Sequence, residues 1–258
     1  MARTATYLYC IVHAPRAPAV GRAPGGVPGA GRPVARAARG SLWVITADVP
    51  LSQYGADILE GSLRDLQWVA RIAVAHEDVV EHFTRQRGTT VVPAQLFTMF
   101  STPDRAIQET RSRGGEITAV VKRIAGCDEW GVRITRRGSL IPSRLDPQPP
   151  ESGAAFLAAK KGTRDATRAA RLTAAEAAHS AYQALAGLAR ESRRRDDAPP
   201  DATAPPLLDA AFLVPAGGRS RFKAAARRLA AEGATAGTEL TVTGPWPPYN
   251  FVRPDVRR

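Results

Sequence analysis

Four histidines, two cysteines and scattered carboxylates are what this chain of 258 residues offers for chemistry. The most inviting cluster is His76-Glu77-Asp78-Val79-Val80-Glu81-His82, two imidazoles with carboxylates between them. A hydrolytic zinc site would need two histidines four apart on one helical face. Here they are six apart, a turn of roughly 240° on a helix, so they diverge and cannot share an ion. His76 is then expected to be a polar or packing position. Cys10 and Cys127 sit in apolar, strand-like surroundings, with no zinc spacing and no disulfide framework, and read as small buried hydrophobes. Gly29-Ala30-Gly31 lacks the third glycine of a dinucleotide fingerprint, and Arg32-Pro33 follow where a helix should open. Residues 25–33 contain no Lys-Ser/Thr for a P-loop, and no G-x-S-x-G occurs. The expectation is a protein without catalytic residues, cofactor or metal.

The other concentration of distinctive residues is the segment Leu240-Thr241-Val242-Thr243-Gly244-Pro245-Trp246-Pro247-Pro248-Tyr249-Asn250-Phe251-Val252. It opens with the alternation of a strand and then meets three prolines, which lack the N–H a central strand donates. A stiff extended segment presenting Trp246, Tyr249 and Phe251 must cover something apolar. Two readings stand: a lid over the chain's own core, or a docking surface for another protein. A P-x-x-P match within it is a cheap signal.

The formal charge is +12. Arg3, Arg16, Arg22, Arg32, Arg36 and Arg39 supply half of it, with no acid among the first forty residues. An arginine-rich insertion over 14–39 makes nucleic-acid binding an alternative function, although it has no interleaved aromatics for base stacking. No stretch approaches the ~18 apolar residues of a membrane span, so the protein is expected to be soluble and cytoplasmic.

The elements that must carry these residues follow from periodicity. Thr4 to His13 and Gly40 to Pro50 alternate as strands, paired across a long loop at 14–39 that is rich in Pro, Gly, Ala and Arg and expected to be flexible. Leu63 to Arg87 is an amphipathic helix with Leu63, Leu66, Ala70, Ala73, Val80 and Phe83 on its apolar face. Thr89 to Phe100 is an edge or bulged strand containing Pro93. Ser101-Thr102-Pro103 starts a helix to about Arg113, and a second follows from Glu116 to Ile124. Beyond these lie a strand at 127–135, a long Ala-rich helix over 151–195, a strand at 207–214, a helix at 219–231 and a strand at 237–246. In the long helix, Phe156, Thr163, Ala170, Ala177 and Ala184, with Ala159, Ala166, Thr173, Ala181 and Leu188, form a narrow heptad seam suited to close helix packing.

The fold class is therefore α+β in two domains. An N-terminal α+β domain spans 1–141, and Pro142 to Pro150 is a linker. A C-terminal ferredoxin-like domain spans 151–258, with the long helix 151–195 and the aromatic tail 244–252.

Several of these segments, in order, resemble the gas vesicle protein F/L family. They are Tyr7-Leu8-Tyr9-Cys10-Ile11-Val12, the helix from Leu63 to Val80, Val91 to Phe100, Glu129-Trp130-Gly131-Val132-Arg133, Gly153 to Leu157, Ala211-Phe212-Leu213-Val214 and the tail. Gln95 and Phe97 stand where the family usually has Arg and Gly. The resemblance implies an accessory protein of gas vesicle formation, with two α+β domains, whose partner is the small hydrophobic shell protein and possibly other accessory proteins. No nucleic acid, membrane or cofactor is expected as a partner. Trp246, Tyr249, Phe251, Trp130 and Arg133 are the candidate residues for that protein interaction. A generic scaffold domain is the blander alternative.

Overall fold

The computed structural model describes residues 3–137, 152–195 and 205–252. The expected linker at 142–150 and most of the loop at 196–206 lie outside the described residues. The α+β class holds, with two sheets each covered by helices. The chain divides into two compact units, Met1–Cys127 with Trp246–Arg258, and Asp128–Pro245. This differs from the expected division at 141/151 in two ways. The strand at 127–136 pairs into the second sheet, and the aromatic tail belongs to the first unit.

The first unit is built on β1 (Thr4–His13), β2 (Val34–Arg39), β3 (Leu42–Pro50), β4 (Thr90–Pro93) and β5 (Met99–Phe100). Their order is β2-β3-β1-β4, with β5 also on β1, and every pairing is antiparallel. The register on β3 slips between Leu8 and Cys10, leaving Tyr9 as the extra residue of a bulge. A bulge reverses the side-chain alternation downstream of it. Tyr7, Tyr9, Cys10 and Val12 consequently join one core cluster, while Leu8 and Ile11 line a groove outside it. Strict alternation would place Leu8 and Cys10 on the same face.

Short helices α1 (Leu51–Tyr54) and α2 (Ala56–Ser62) precede α3 (Leu66–Thr84). The Asp65 carboxylate accepts from the Gln67 and Trp68 amides, so the helix starts there and not at Leu63. Its buried face is Ile72, His76, Val79, Val80 and Phe83, spaced four, three, one and three apart. Leu66, assigned above to the apolar face, is 80% exposed. The strand expected over 89–100 is broken by a turn, with β4 ending at Pro93 and β5 resuming at Met99. Helices α4 (Pro103–Ser112) and α5 (Gly114–Ile124) follow, α4 capped by the Thr102 hydroxyl as its sequence announced.

The 14–39 segment is not a flexible insertion. Its last six residues form β2 on the edge of the sheet, and the loop before it is pinned by tyrosine hydroxyls. Tyr9 Oη accepts from the Val27 amide at 3.0 Å, and Tyr54 donates to the Pro28 carbonyl at 2.7 Å. Ala23 and Val27 are buried beneath. Gly26 has φ +82° and lies so close to Tyr9 that a Cβ would stand 2.2 Å from its hydroxyl, which only glycine allows. Arg36, one of the six basic residues invoked for phosphate contact, bonds Thr46 Oγ1 across the sheet.

The second unit holds β6 (Cys127–Arg136), α6 (Gly153–Ala186), β7 (Glu191–Arg194), β8 (Leu208–Pro215), α7 (Arg219–Thr235) and β9 (Thr238–Trp246), the last continuing one residue into the tail. The sheet order β7-β8-β6-β9 is that of a ferredoxin-like βαββαβ unit. The long helix ends at Ala186 and not at Arg195, because Glu191–Arg194 pair with β8 as an edge strand. Trp130, Val132, Ile134, Phe212 and Phe222 form the core with Ala178, Ala181 and Leu185 of α6. Only the C-terminal part of α6 is buried, through Ala174, Ala178, Ala181 and Leu185, so of the expected seam only Ala181 is buried and the packed face is offset from it. Cys10 is fully buried as expected, whereas Cys127 is half-buried.

Candidate functional site

The candidate site is assembled in the first unit from the sheet, α5 and the tail. At its centre lies a cluster of buried aromatic and polar rings. Tyr7 and Tyr9 project from β1, and His76 from α3, with ring centroids 5.7 Å and 5.6 Å from the imidazole. Tyr249 comes from the tail, 6.4 Å from the same ring. The Tyr7 hydroxyl lies 3.0 Å from His76 Nδ1 and accepts from the Phe97 amide at 3.3 Å. The tautomer of His76 sets which of the two donates, and either way the bond ties α3 to β1.

Burial sets the protonation of the cluster. It lowers His76 to about 4, against an opposing pull from the Ala94 backbone. It raises Tyr9 to about 12 and Tyr54 to about 12. Tyr249 is raised by burial first and then by the negative charge of Glu77, whose Oε2 it donates to at 2.6 Å. Burial also pushes the Cys10 thiol well up, so it stays protonated. Every one of these groups is held neutral at neutral pH. The cluster contains no activated nucleophile and works as a hydrogen-bonded staple for the loops around it.

Beside the staple, a groove of about 580 Å3 opens between the sheet and α5. Leu8, Ile11 and Val92 form its floor, Ile117 and Val120 one wall, and Val252 of the tail closes part of it. Ile11 and Val92 face each other across the β1–β4 pair, which makes the floor continuous. Polar groups lie among these: Arg113 pairs with Glu116 at 3.1 Å, and Arg123 donates to the Phe251 carbonyl. Gln95 also lines this groove. Phe97 has φ +63° and stacks on Trp68 at 5.6 Å with 3° between the planes.

The five residues singled out in the sequence do not form one site. Phe251 is fully buried, and Tyr249 is half-buried and bonded to Glu77, both in the lid role. Trp246 is 46% exposed, the one large aromatic of the tail presented to solvent. In the second unit, Trp130 is buried in the core against Phe222, 6.1 Å between ring centroids. Arg133 is exposed and bonds Asp209 Oδ2 through Nε and a terminal nitrogen. Arg195 takes the other oxygen of the same carboxylate. The groove itself escaped sequence reasoning, because its floor depends on the bulge at Tyr9 and its end on Val252, 160 positions beyond Val92.

The family model of the gas vesicle synthesis protein GvpL/GvpF matches residues 5–253. The chain belongs to that family. It is 28% identical over 261 residues to gas vesicle protein L of Streptomyces sp. (strain CB03234), covering 95% of this chain and 91% of that one. Its fold is similar to the crystal structure of GvpF from Anabaena sp. PCC7120, with a TM-score of 0.67 at 16% identity over 99% of this chain and 98% of that one. GvpF from Microcystis aeruginosa superposes with a TM-score of 0.67 at 15% identity, over 96% and 99% of the two chains. Among the described residues, no helix is long and apolar enough to cross a membrane.

Proposed function

We propose that this gas vesicle accessory protein binds the small hydrophobic shell protein in the cytoplasm and keeps it competent for addition to the growing wall. The observation that carries this reading is the apolar groove over β1 and β4, which a tail residue, Val252, helps to line. A shell subunit exposes apolar surface that aggregates when uncovered, and a groove floored by Leu8, Ile11 and Val92 removes such surface from water without consuming a cofactor. Exposed Trp246 extends the contact as an aromatic anchor. Gln95 in place of an arginine leaves the lining less charged, so apolar burial is the larger share of the interaction.

The experiment is capture of purified shell protein at low and at high salt by the wild-type chain, Val120→Arg and Trp246→Ala. Retention that survives high salt and drops in both variants, with melting temperatures unchanged, supports the reading. Wild-type retention by Val120→Arg would overturn the groove. Binding that vanishes with salt, alongside salt-sensitive retention on DNA, would overturn the shell protein as partner.

A further inference from the structure

Among the described residues, nothing packs on the N-terminal part of α6. From Gly153 to Thr173 every described side chain is exposed except Thr167 and Ala170, which are half-buried. Twenty-one residues of helix extend about 30 Å at 1.5 Å per residue. Its basic residues are Lys160, Lys161, Arg164, Arg168 and Arg171, and its one acid is Asp165. At 100° per residue those five cations fall within an arc of about 100°, and Asp165 lies outside its edge. All five are exposed, and none has an ion-pair partner among the described residues.

Three large apolar side chains stand with them, one of them Leu172, 56% exposed and about 20° beyond the Lys161 edge of the arc. Leu157 is 66% exposed and projects at the middle of the basic arc, and Phe156 is 53% exposed on its flank. Phenylalanine and leucine standing in water beside five uncompensated cations are a poor surface for a free helix. The arrangement is complementary to a surface that offers carboxylates and an apolar side chain together.

We propose that this overhang docks an acidic amphipathic helix of a partner protein, with glutamate or aspartate on either side of an apolar row. A phosphate backbone would satisfy the cations but leave Leu157 and Phe156 idle. A helix lying in a membrane surface segregates apolar and basic residues to opposite faces, whereas here Leu157 shares the face of the cations. A second copy of this overhang would set five cations against five. The docked acidic helix gains charge-assisted contacts along one face and buries Leu157 at their centre. The surface lies in the second unit and does not depend on the groove assigned to the shell protein.

The test uses the full chain and a labelled synthetic helical peptide with glutamates flanking a row of leucines, read by fluorescence anisotropy. The peptide's Glu→Lys counterpart, duplex DNA and phosphatidylserine vesicles are run beside it. The expected result is peptide binding that weakens at least tenfold in Arg164→Glu/Arg168→Glu and several-fold in Leu157→Ala, with no binding of the lysine peptide. These positions are exposed, and circular dichroism melts check that the variants keep the wild-type fold. Equal binding by Leu157→Ala, tighter binding to DNA or vesicles than to the peptide, or no peptide binding at all would overturn the proposal.

Discussion

The Tyr249 hydroxyl donates to Glu77 Oε2 at 2.6 Å, joining two residues 172 positions apart in the chain. Through this bond the tail meets α3, and three residues later Val252 lines the groove with α5. The tail is thus a tie between the helical layers of the first unit. Its aromatic residues divide the work, and their substitution should show it. Phe251→Ala should cost about 3–5 kcal/mol, as for other fully buried aromatics. Tyr249→Phe should cost roughly 2 kcal/mol for a buried hydrogen bond to a carboxylate. Trp246→Ala should stay within about 0.5 kcal/mol. Urea melts of the three variants check the ranking, and a Trp246→Ala loss equal to that of Phe251→Ala would contradict the lid.

Phe97 occupies a left-handed backbone position while stacking on Trp68. The two effects oppose each other, and two substitutions separate them. Phe97→Ala removes the ring and keeps a Cβ in the unfavourable backbone. Phe97→Gly removes the ring and the strain together. The glycine variant should therefore be the more stable of the two by about 1 kcal/mol. If alanine proves equal or better, the left-handed conformation is not what selects the residue.

His76 gives the first unit a pH dependence of definite sign. Its pKa falls from 6.5 to about 4 on folding, because burial disfavours the imidazolium. The unfolded chain takes up a proton below 6.5 that the folded chain refuses. Stability is therefore lost as pH falls from about 6.5 towards 4, by roughly 1 kcal/mol per unit, and this contribution levels off below the folded value. His76→Gln should flatten that part of the profile. Parallel slopes for the two proteins between pH 6 and 4.5 would refute the assignment.

Gly131 lies where a Cβ would meet Thr243 Oγ1 at 2.6 Å and an Arg195 terminal nitrogen at 3.2 Å. Gly131→Ala should cost about 1–3 kcal/mol by overpacking the sheet. Adding Thr243→Ala removes the nearer atom and should recover most of the loss. A double variant no better than the single one would place the cost in the backbone instead.

Much of this fold is legible where the signal is local. The ten residues of β1 alternate strongly enough to bound the strand at Thr4 and His13, and Thr102-Pro103 announces the start of α4. The strands missed are edge strands. Val34–Arg39 is Ala- and Arg-rich, and Glu191–Arg194 has no apolar residue, so each borrows its conformation from a neighbour through backbone bonds that leave no mark on side-chain pattern. The loop at 14–33 looked unstructured for a related reason. Its order comes from the hydroxyls of Tyr9 and Tyr54, which local composition does not show. At the site, Pro and aromatic content mark the tail but leave lid and docking surface open, and it is the burial of Phe251 that favours the lid. The groove was not legible, because a single bulged residue decides which of Leu8 and Cys10 faces it.

The return of the tail to the first unit sets an order on biosynthesis. Ribosomes release a chain from its N-terminus, so β1 to α5 emerge early but must wait for Tyr249, Phe251 and Val252. The ferredoxin-like unit, a single stretch of 128–245, is fully translated before those residues exist. A nascent protein therefore carries a finished second half while the groove of the first is still unsealed at its Val252 end. Premature termination between Pro245 and Val252 would yield a molecule whose second half is complete and whose first is open, a natural substrate for proteolytic clearance.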